Sequence, residues 1–146
     1  MVLRNLELFG APVVGQLCIL GNESSLGDPV LGGPITAVAC NYGNVRYRDR
    51  TPENAIWWDY SSGKMTGVGE GVWFCFPSPD VGMLAWGCFL KQSAGGAYVP
   101  LLRQKRYREL ATIYYGDKPG LDQYVADLEE KDARYTARLA AGGFSV

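Results

Sequence analysis

MLAWGCFL occupies residues 83–90, and its reading as strand or helix settles the class of the whole chain. Every position is apolar or glycine. Neither the alternation of a half-buried strand nor the stripe of a surface helix is therefore visible in it. The run is short and aromatic, and it follows VWFCF (72–76), a second run without a polar face. Both read as strands, central in a sheet or covered by a partner.

The flanking sequence is consistent with that reading. GAPVVGQLCILGN (10–22) returns as GGPITAVACNYGN (32–44), with Gly10, Pro12, Cys18, Gly21 and Asn22 matched by Gly32, Pro34, Cys40, Gly43 and Asn44. Each copy reads as a turn, an extended run entered through proline, and a Gly-Asn turn. No third copy follows at 54–66, and repeat arrays need about three or more, so the match is shared strand grammar. Candidate strands at 2–9, 13–20, 35–41, 44–50, 55–60, 71–76, 83–90 and 96–99 are separated by glycine- or proline-bearing turns. Within them NVRYRDR alternates, with Val45 and Tyr47 facing one way and Arg46, Arg48 and Arg50 the other. The expected fold is mainly β, an antiparallel sandwich or barrel, with one or two C-terminal α-helices, an α+β chain. The long connection at 21–34 is of a size that often carries an interface.

After residue 100 the pattern changes. Pro100 opens a helical stretch in which Tyr107, Leu110, Ala111 and Tyr114 share a face, and Gly116 stops it. The segment after Pro119 is a second helix. Leu121, Tyr124, Val125, Leu128, Tyr135 and Leu139 form its stripe, interrupted near Lys131 and Asp132, and Gly142 and Gly143 end it. Asp127–Lys131 and Glu130–Arg134 are spaced as i,i+4 pairs. The chain thus divides into a β-rich core (1–100) and a helical extension (101–146), packed on the same domain or on a neighbouring subunit.

Composition narrows the function. With 146 residues, 47% hydrophobic, the chain is expected to form one packed domain. Fourteen Lys+Arg against fifteen Asp+Glu leave a net charge of −1, which argues against bulk-charge binding to nucleic acid. No run reaches the ~18 apolar residues of a membrane span. Glu7 and the polar residues after it interrupt any signal-peptide core, so a cytoplasmic chain, or one assembled into a particle such as a virion, is expected. Histidine is absent, which removes Ser-His and Cys-His nucleophilic pairs and imidazole metal sites. Cys18, Cys40, Cys75 and Cys88 lie in apolar runs and form no CxxC. They read as small buried hydrophobes, and a Cys75–Cys88 bridge requires the right register. GVGEG (67–71) precedes strand-like sequence and reads as a glycine-rich hairpin, not a phosphate loop. Asp59, Glu70 and Asp80 read as turn residues more readily than as a catalytic pair. No cofactor and no metal are implied.

Two basic stretches and an aromatic motif remain. Arg46, Arg48 and Arg50, with Arg103, Arg106 and Arg108, form either solvated faces or contacts to a partner. AIWWDY places Trp57, Trp58, Asp59 and Tyr60 together, as a protein anchor or a carbohydrate site needs. The leading expectation is a non-enzymatic structural subunit of a homo-oligomer or larger protein complex, of the kind found among capsid decoration, connector or tail components of virions. Its contacts would come from Trp58, the six arginines, Tyr135, Leu139 and Phe144. The alternative is a glycan-binding module using Trp57, Trp58, Asp59 and Tyr60.

Overall fold

MLAWGCFL is helical. The structure, a computed structural model, describes residues 1–25, 33–52, 55–68 and 71–144. In chain order the elements are α1 (Val2–Phe9), α2 (Val13–Glu23), α3 (Gly33–Ala37), α4 (Ala55–Tyr60), β1 (Gly63–Val68), β2 (Gly71–Cys75), α5 (Pro79–Gln92), α6 (Tyr98–Arg103), α7 (Tyr107–Tyr114) and α8 (Leu121–Ala141). A 3-10 turn at Ser93–Gly96 joins α5 to α6. Among the described residues the sheet is a single two-stranded one. The expected β-sandwich or barrel is therefore corrected to a mostly helical fold with one antiparallel β-pair.

The physical reason lies in α5. Ser78 caps it by accepting a hydrogen bond from the Val81 amide at 3.3 Å, Pro79 sits in the first turn, and Asp80 and Lys91 stand at the ends that suit their charges. Its interior buries Gly82, Met83, Ala85, Trp86, Gly87, Cys88 and Leu90. A helix buried on nearly all sides has no polar face, so the 3.6-residue period disappears from its sequence. The glycines are contact points. A Cβ on Gly82 would meet the Cys40 carbonyl oxygen at 1.9 Å, and one on Gly87 would meet the Asn5 side chain at 2.6 Å.

The same holds for α2, where Val14, Gly15, Gln16, Cys18, Ile19 and Leu20 are buried. Gly15 lets Leu102 of α6 approach, since a Cβ there would lie 2.8 Å from it. Two buried amides tie the first helices down. Asn5 donates to the Met83 carbonyl at 3.1 Å, and Gln16 donates to the carbonyls of Val2 (3.0 Å) and Ala11 (2.8 Å). The matched segments share a helix start and little more, since α2 runs on to Glu23 whereas α3 ends at Ala37 and Cys40 and Asn44 have positive φ. Pro12 is the N-cap of α2 and Pro34 lies in the first turn of α3. Of the expected strands, 2–9, 13–20, 55–60 and 83–90 are helix, and 35–41 and 96–99 are helix and turn.

What survives of the β expectation is β2, within the predicted 71–76, while its partner β1, which runs into the start of GVGEG, is a strand the sequence reading does not offer. They pair antiparallel with Gly63 opposite Cys75 and Met65 opposite Trp73, and the register shifts between Met65 and Val68. The predicted strand at 44–50 is reduced to one bridge, Arg46 to Trp73. Its alternation holds: Val45 is buried, Tyr47 is half-buried, and Arg46, Arg48 and Arg50 are exposed. The buried Asn41 amide fixes this edge by donating to the carbonyls of Val45 (2.8 Å) and Phe74 (3.0 Å).

In the C-terminal part the predicted helices are present. The first is divided into α6 and α7 at Gln104–Arg106, where Lys105 has φ 55°. Leu121 to Leu139 lie on α8, with Tyr124, Val125, Leu128 and Tyr135 buried. Asp132, the expected interruption, is itself buried in the stripe. α8 packs along α2 and α7. The main core unites Cys18, Ile19, Trp86, Leu90, Leu102, Leu110 and Leu128. A smaller cluster of Val45, Trp57, Phe74, Phe76 and Ala85 joins α4 and the β-pair to α5. All four cysteines are free, with Cys18 and Cys88 buried. Burial pushes the Cys88 thiol up to about 11. The Cys18 thiol is pushed up to about 12, by burial first and by the nearby Asp132 charge second.

Candidate functional site

The arginines singled out in the sequence do not share one surface role. Arg50 pairs with Asp59 at 3.0 Å, Arg106 with Glu109, and Arg108 with Asp122 at 2.6 Å. The Nε of Arg103 donates to the Gly10 carbonyl at 3.0 Å, closing the end of α1. The second basic stretch is thus taken up within the chain. Arg46 and Arg48 differ, because both line a large cleft.

The aromatic motif lies on α4. Trp57 is buried, 5.1 Å from the Phe89 ring and edge-on to Phe74. Trp58 is half-buried and rests on Tyr47, with ring centroids 4.6 Å apart, and edge-on to Phe74. Tyr60 packs against the same cluster, while Asp59 faces solvent with Arg50. Most of the aromatic surface of AIWWDY is spent on the smaller core. Glu70 lies outside the described residues. Of the helical contact residues, Tyr135 is buried, Leu139 packs at the edge of the main core, and Phe144 is 61% exposed.

One surface stands out that the sequence reading passed over. On α1, Leu3 is 58% and Leu8 55% exposed, Arg4 and Glu7 are exposed between them, and Leu6 is 41% exposed. Only Asn5 is fully enclosed, and Val2 packs at the edge of the main core. Neither Arg4 nor Glu7 forms an ion pair among the described residues. The helix was legible in VLRNLELF, where Val2, Leu6 and Phe9 follow i, i+4, i+7 spacing and leave Leu3 and Leu8 off that stripe.

The second feature is a cleft of about 1230 Å³ between the end of α2, the segment 43–51, the turn after α5, the end of α7 and α8. Its lining includes both Gly-Asn pairs of the matched segments, Gly21–Asn22 and Gly43–Asn44, which the sequence offers only as turns. Gly43 is required there because a Cβ would meet the Trp86 ring at 2.1 Å. Glu23 accepts from the Tyr124 hydroxyl at 2.7 Å and from the Asn44 amide at 3.1 Å. Burial raises its carboxyl above the ordinary value, against those hydrogen bonds and the Lys118 charge. Its position in the last turn of α2, the negative end of the helix dipole, acts in the same direction. Burial and the Glu23 charge in turn push the Tyr124 phenol far up. Tyr114 donates to the Gly43 carbonyl at 2.9 Å, completing a fixed tyrosine-lined wall.

A third cluster, around Asp132, joins α8 to the loop before α7. Its carboxylate accepts from Tyr107 at 2.7 Å, Lys105 at 2.9 Å and Thr136 at 2.9 Å. Burial alone would raise this carboxyl. The three hydrogen bonds and the Lys105 charge outweigh that and hold it below its ordinary value. Every acceptor is occupied by a local partner, so the cluster reads as structural. Among the described residues no group of three or more Cys, Asp or Glu is placed to hold a metal, and no helix is long and apolar enough to cross a membrane. Comparison with known protein families, with curated proteins and with solved structures gives no match.

Proposed function

We propose that this chain is a non-enzymatic assembly subunit that pairs with a second copy of itself through the outer side of α1. The observation that carries this reading is the exposure of Leu3, Leu6 and Leu8 on one eight-residue helix that also carries two opposite charges, Arg4 and Glu7, with no ion pair among the described residues. Scattered exposed leucines need no explanation, whereas a concentration on one element marks a contact. The pattern is self-complementary. Arg4 and Glu7 are three residues apart on one face, flanked by Leu3 and Leu8, so an antiparallel pairing of two α1 helices about a two-fold axis sets Arg4 against Glu7 of the partner subunit with leucines at either side. The low net charge of −1 does not oppose such pairing. Specific interfaces bury about 1,000 Å² or more, so α1 would be the centre of the contact and not its whole extent.

The non-enzymatic part rests on the lack of histidine in the sequence and on carboxylates engaged by local cations, as in Asp59–Arg50, Asp122–Arg108 and Asp132–Lys105. Such a subunit would work in the cytoplasm or within an assembled particle such as a virion.

Sedimentation equilibrium tests the pairing. The parent chain is expected to run as a dimer or larger closed oligomer, and Glu7→Arg, which sets arginine against arginine, is expected to drive it to monomer. The double variant Arg4→Glu, Glu7→Arg restores opposite charges and should restore assembly. A parent that stays monomeric at high concentration, or a Glu7→Arg chain that assembles as well as the parent, rejects the reading.

A further inference from the structure

Cations are spent unevenly across this molecule. Arg50, Lys105, Arg106, Arg108 and Arg134 are neutralised by acids within the chain. Arg46, Arg48, Lys118 and Lys131 line the large cleft, and none of the four has an acid within ion-pair distance among the described residues. Three acids share that lining, Glu23, Asp49 and Asp127. Glu23 is held by Tyr124 and Asn44, and Asp127 accepts from Gln123 at 2.7 Å. Asp49 is engaged as well. The cleft therefore presents unpaired positive charge from two sides, Arg46 and Arg48 on the 43–51 segment and Lys118 and Lys131 at and on α8.

The same two sides carry rings beside those charges. Arg46 stands over Trp73 at 5.3 Å from the ring centroid. Lys118 stands over Tyr115 at 4.0 Å, and Tyr115 is stacked on Tyr124 at 4.7 Å. A bare inorganic anion would use the charges and leave idle the guanidinium plane of Arg46 that Trp73 backs. A neutral flat molecule would use that plane and leave the other cations unpaired. We propose that the cleft between the 43–51 segment and α8 binds a small ligand carrying both a planar ring and a phosphate-like anion, of the nucleoside monophosphate class. The Arg48 guanidinium fork and the Lys118 and Lys131 ammonium groups match phosphate oxygens, and the planar Arg46 guanidinium, backed by Trp73, gives a base a face to stack on. The volume, about 1230 Å³, accommodates a ligand of that size. This site is separate from the outer side of α1 and does not depend on the assembly reading.

Isothermal titration of the full chain with adenosine 5′-monophosphate, adenosine and inorganic phosphate tests the proposal, with quenching of tryptophan emission as a second readout. The monophosphate is expected to bind about tenfold or more tightly than either fragment, and added salt should weaken it. Replacing both exposed arginines, Arg46→Ala with Arg48→Ala, is expected to weaken binding about tenfold or more, the scale of losing charge-assisted hydrogen bonds. Lys118→Ala weakens it from the opposite side and covers the case in which the double variant does not fold. Arg106→Ala, whose charge is taken up by Glu109, leaves binding unchanged. No heat and no quenching with millimolar monophosphate overturns the proposal. So does phosphate alone binding as tightly as the monophosphate, adenosine doing so, or both cleft variants binding like the parent.

Discussion

α5 and α8 are the two longest helices described here, and they are held in place by opposite means. α5 is enclosed, and it packs through positions where a side chain is missing: Gly82 against the Cys40 carbonyl and Gly87 against Asn5. α8 lies on the outside, buries one stripe against α2 and α7, and covers its remaining faces with charge. For α5 the backbone–backbone approach decides stability, and intrinsic helix preference counts for little. For α8 preference and stripe agree, and most single changes outside the stripe are expected to be mild.

The largest expected effect breaks that comparison most directly. In an exposed helix interior, alanine is about 1 kcal/mol better than glycine. At Gly82 the added Cβ would sit 1.9 Å from a main-chain oxygen, which cannot swing aside as a side-chain tip can. Gly82→Ala is therefore expected to destabilise the chain by about 2 kcal/mol or more, the scale of overpacking. At the exposed Ala126 of α8 the reverse exchange, Ala126→Gly, also destabilises, by about 1 kcal/mol, through preference alone. The same two residues thus order oppositely in the two helices. Urea denaturation reads both, and a raised midpoint for Gly82→Ala would show that α5 does not approach residue 40.

This difference also explains what could be read in advance. α8 and α7 were legible because a half-buried helix writes its period into its sequence, from Leu121 through Leu139 and from Tyr107 to Tyr114. α2 and α5 were not, because burial on all sides removes the polar residues that mark the period, and Val13, Val14, Phe89 and the glycines then imitate strand and turn. A helix-start signal was nevertheless present in Ser78-Pro79-Asp80, a capping side chain, a proline and an acid in the order a helix start prefers. The cleft was less legible still. Asn22 and Asn44 are far apart in sequence and line the same cleft only because α2 ends where the 43–51 segment begins. No spacing rule predicts that. The exposed arginines Arg46 and Arg48 were identified, but the sequence could not separate them from Arg103, Arg106 and Arg108, whose charges are taken up locally.

Asp132 sharpens the contrast from within α8, since it is the one polar residue buried in the stripe. Asp132→Asn keeps the shape and loses the charge that strengthens its bonds to Tyr107 and Lys105, at an expected cost of about 1 kcal/mol. The folded carboxyl lies below its unfolded value of about 3.9, so its contribution is fully present above that pH. It is lost as pH falls through the folded value. Denaturation midpoints of parent and variant should therefore differ by a constant amount from neutral pH down to about pH 4 and converge in more acid solution. A gap that widens on acidification would contradict the assignment. Glu23 acts with the opposite sign. Its carboxyl is raised on folding, so its ionisation works against the fold as pH climbs through the folded value.

The smallest effect is expected on the outer face of α8. Glu130 and Arg134 are an i,i+4 pair at 3.4 Å, with the Glu130 side chain mostly in solvent and that of Arg134 partly so. Pairs of this kind contribute about 0.3–0.5 kcal/mol and are screened by salt. In Glu130→Ala that loss is met by the better helix preference of alanine, a gain of a few tenths of a kcal/mol. Arg134 keeps its other contact, standing over the Tyr135 ring at 5.2 Å. The two terms nearly cancel, so the variant should melt within about 1 °C of the parent at moderate ionic strength. At low salt a slight loss should emerge, because only the ionic term responds to screening. If Glu130→Ala instead cost as much as Gly82→Ala, the surface charges would carry α8, and the two helices would not be held by different means after all.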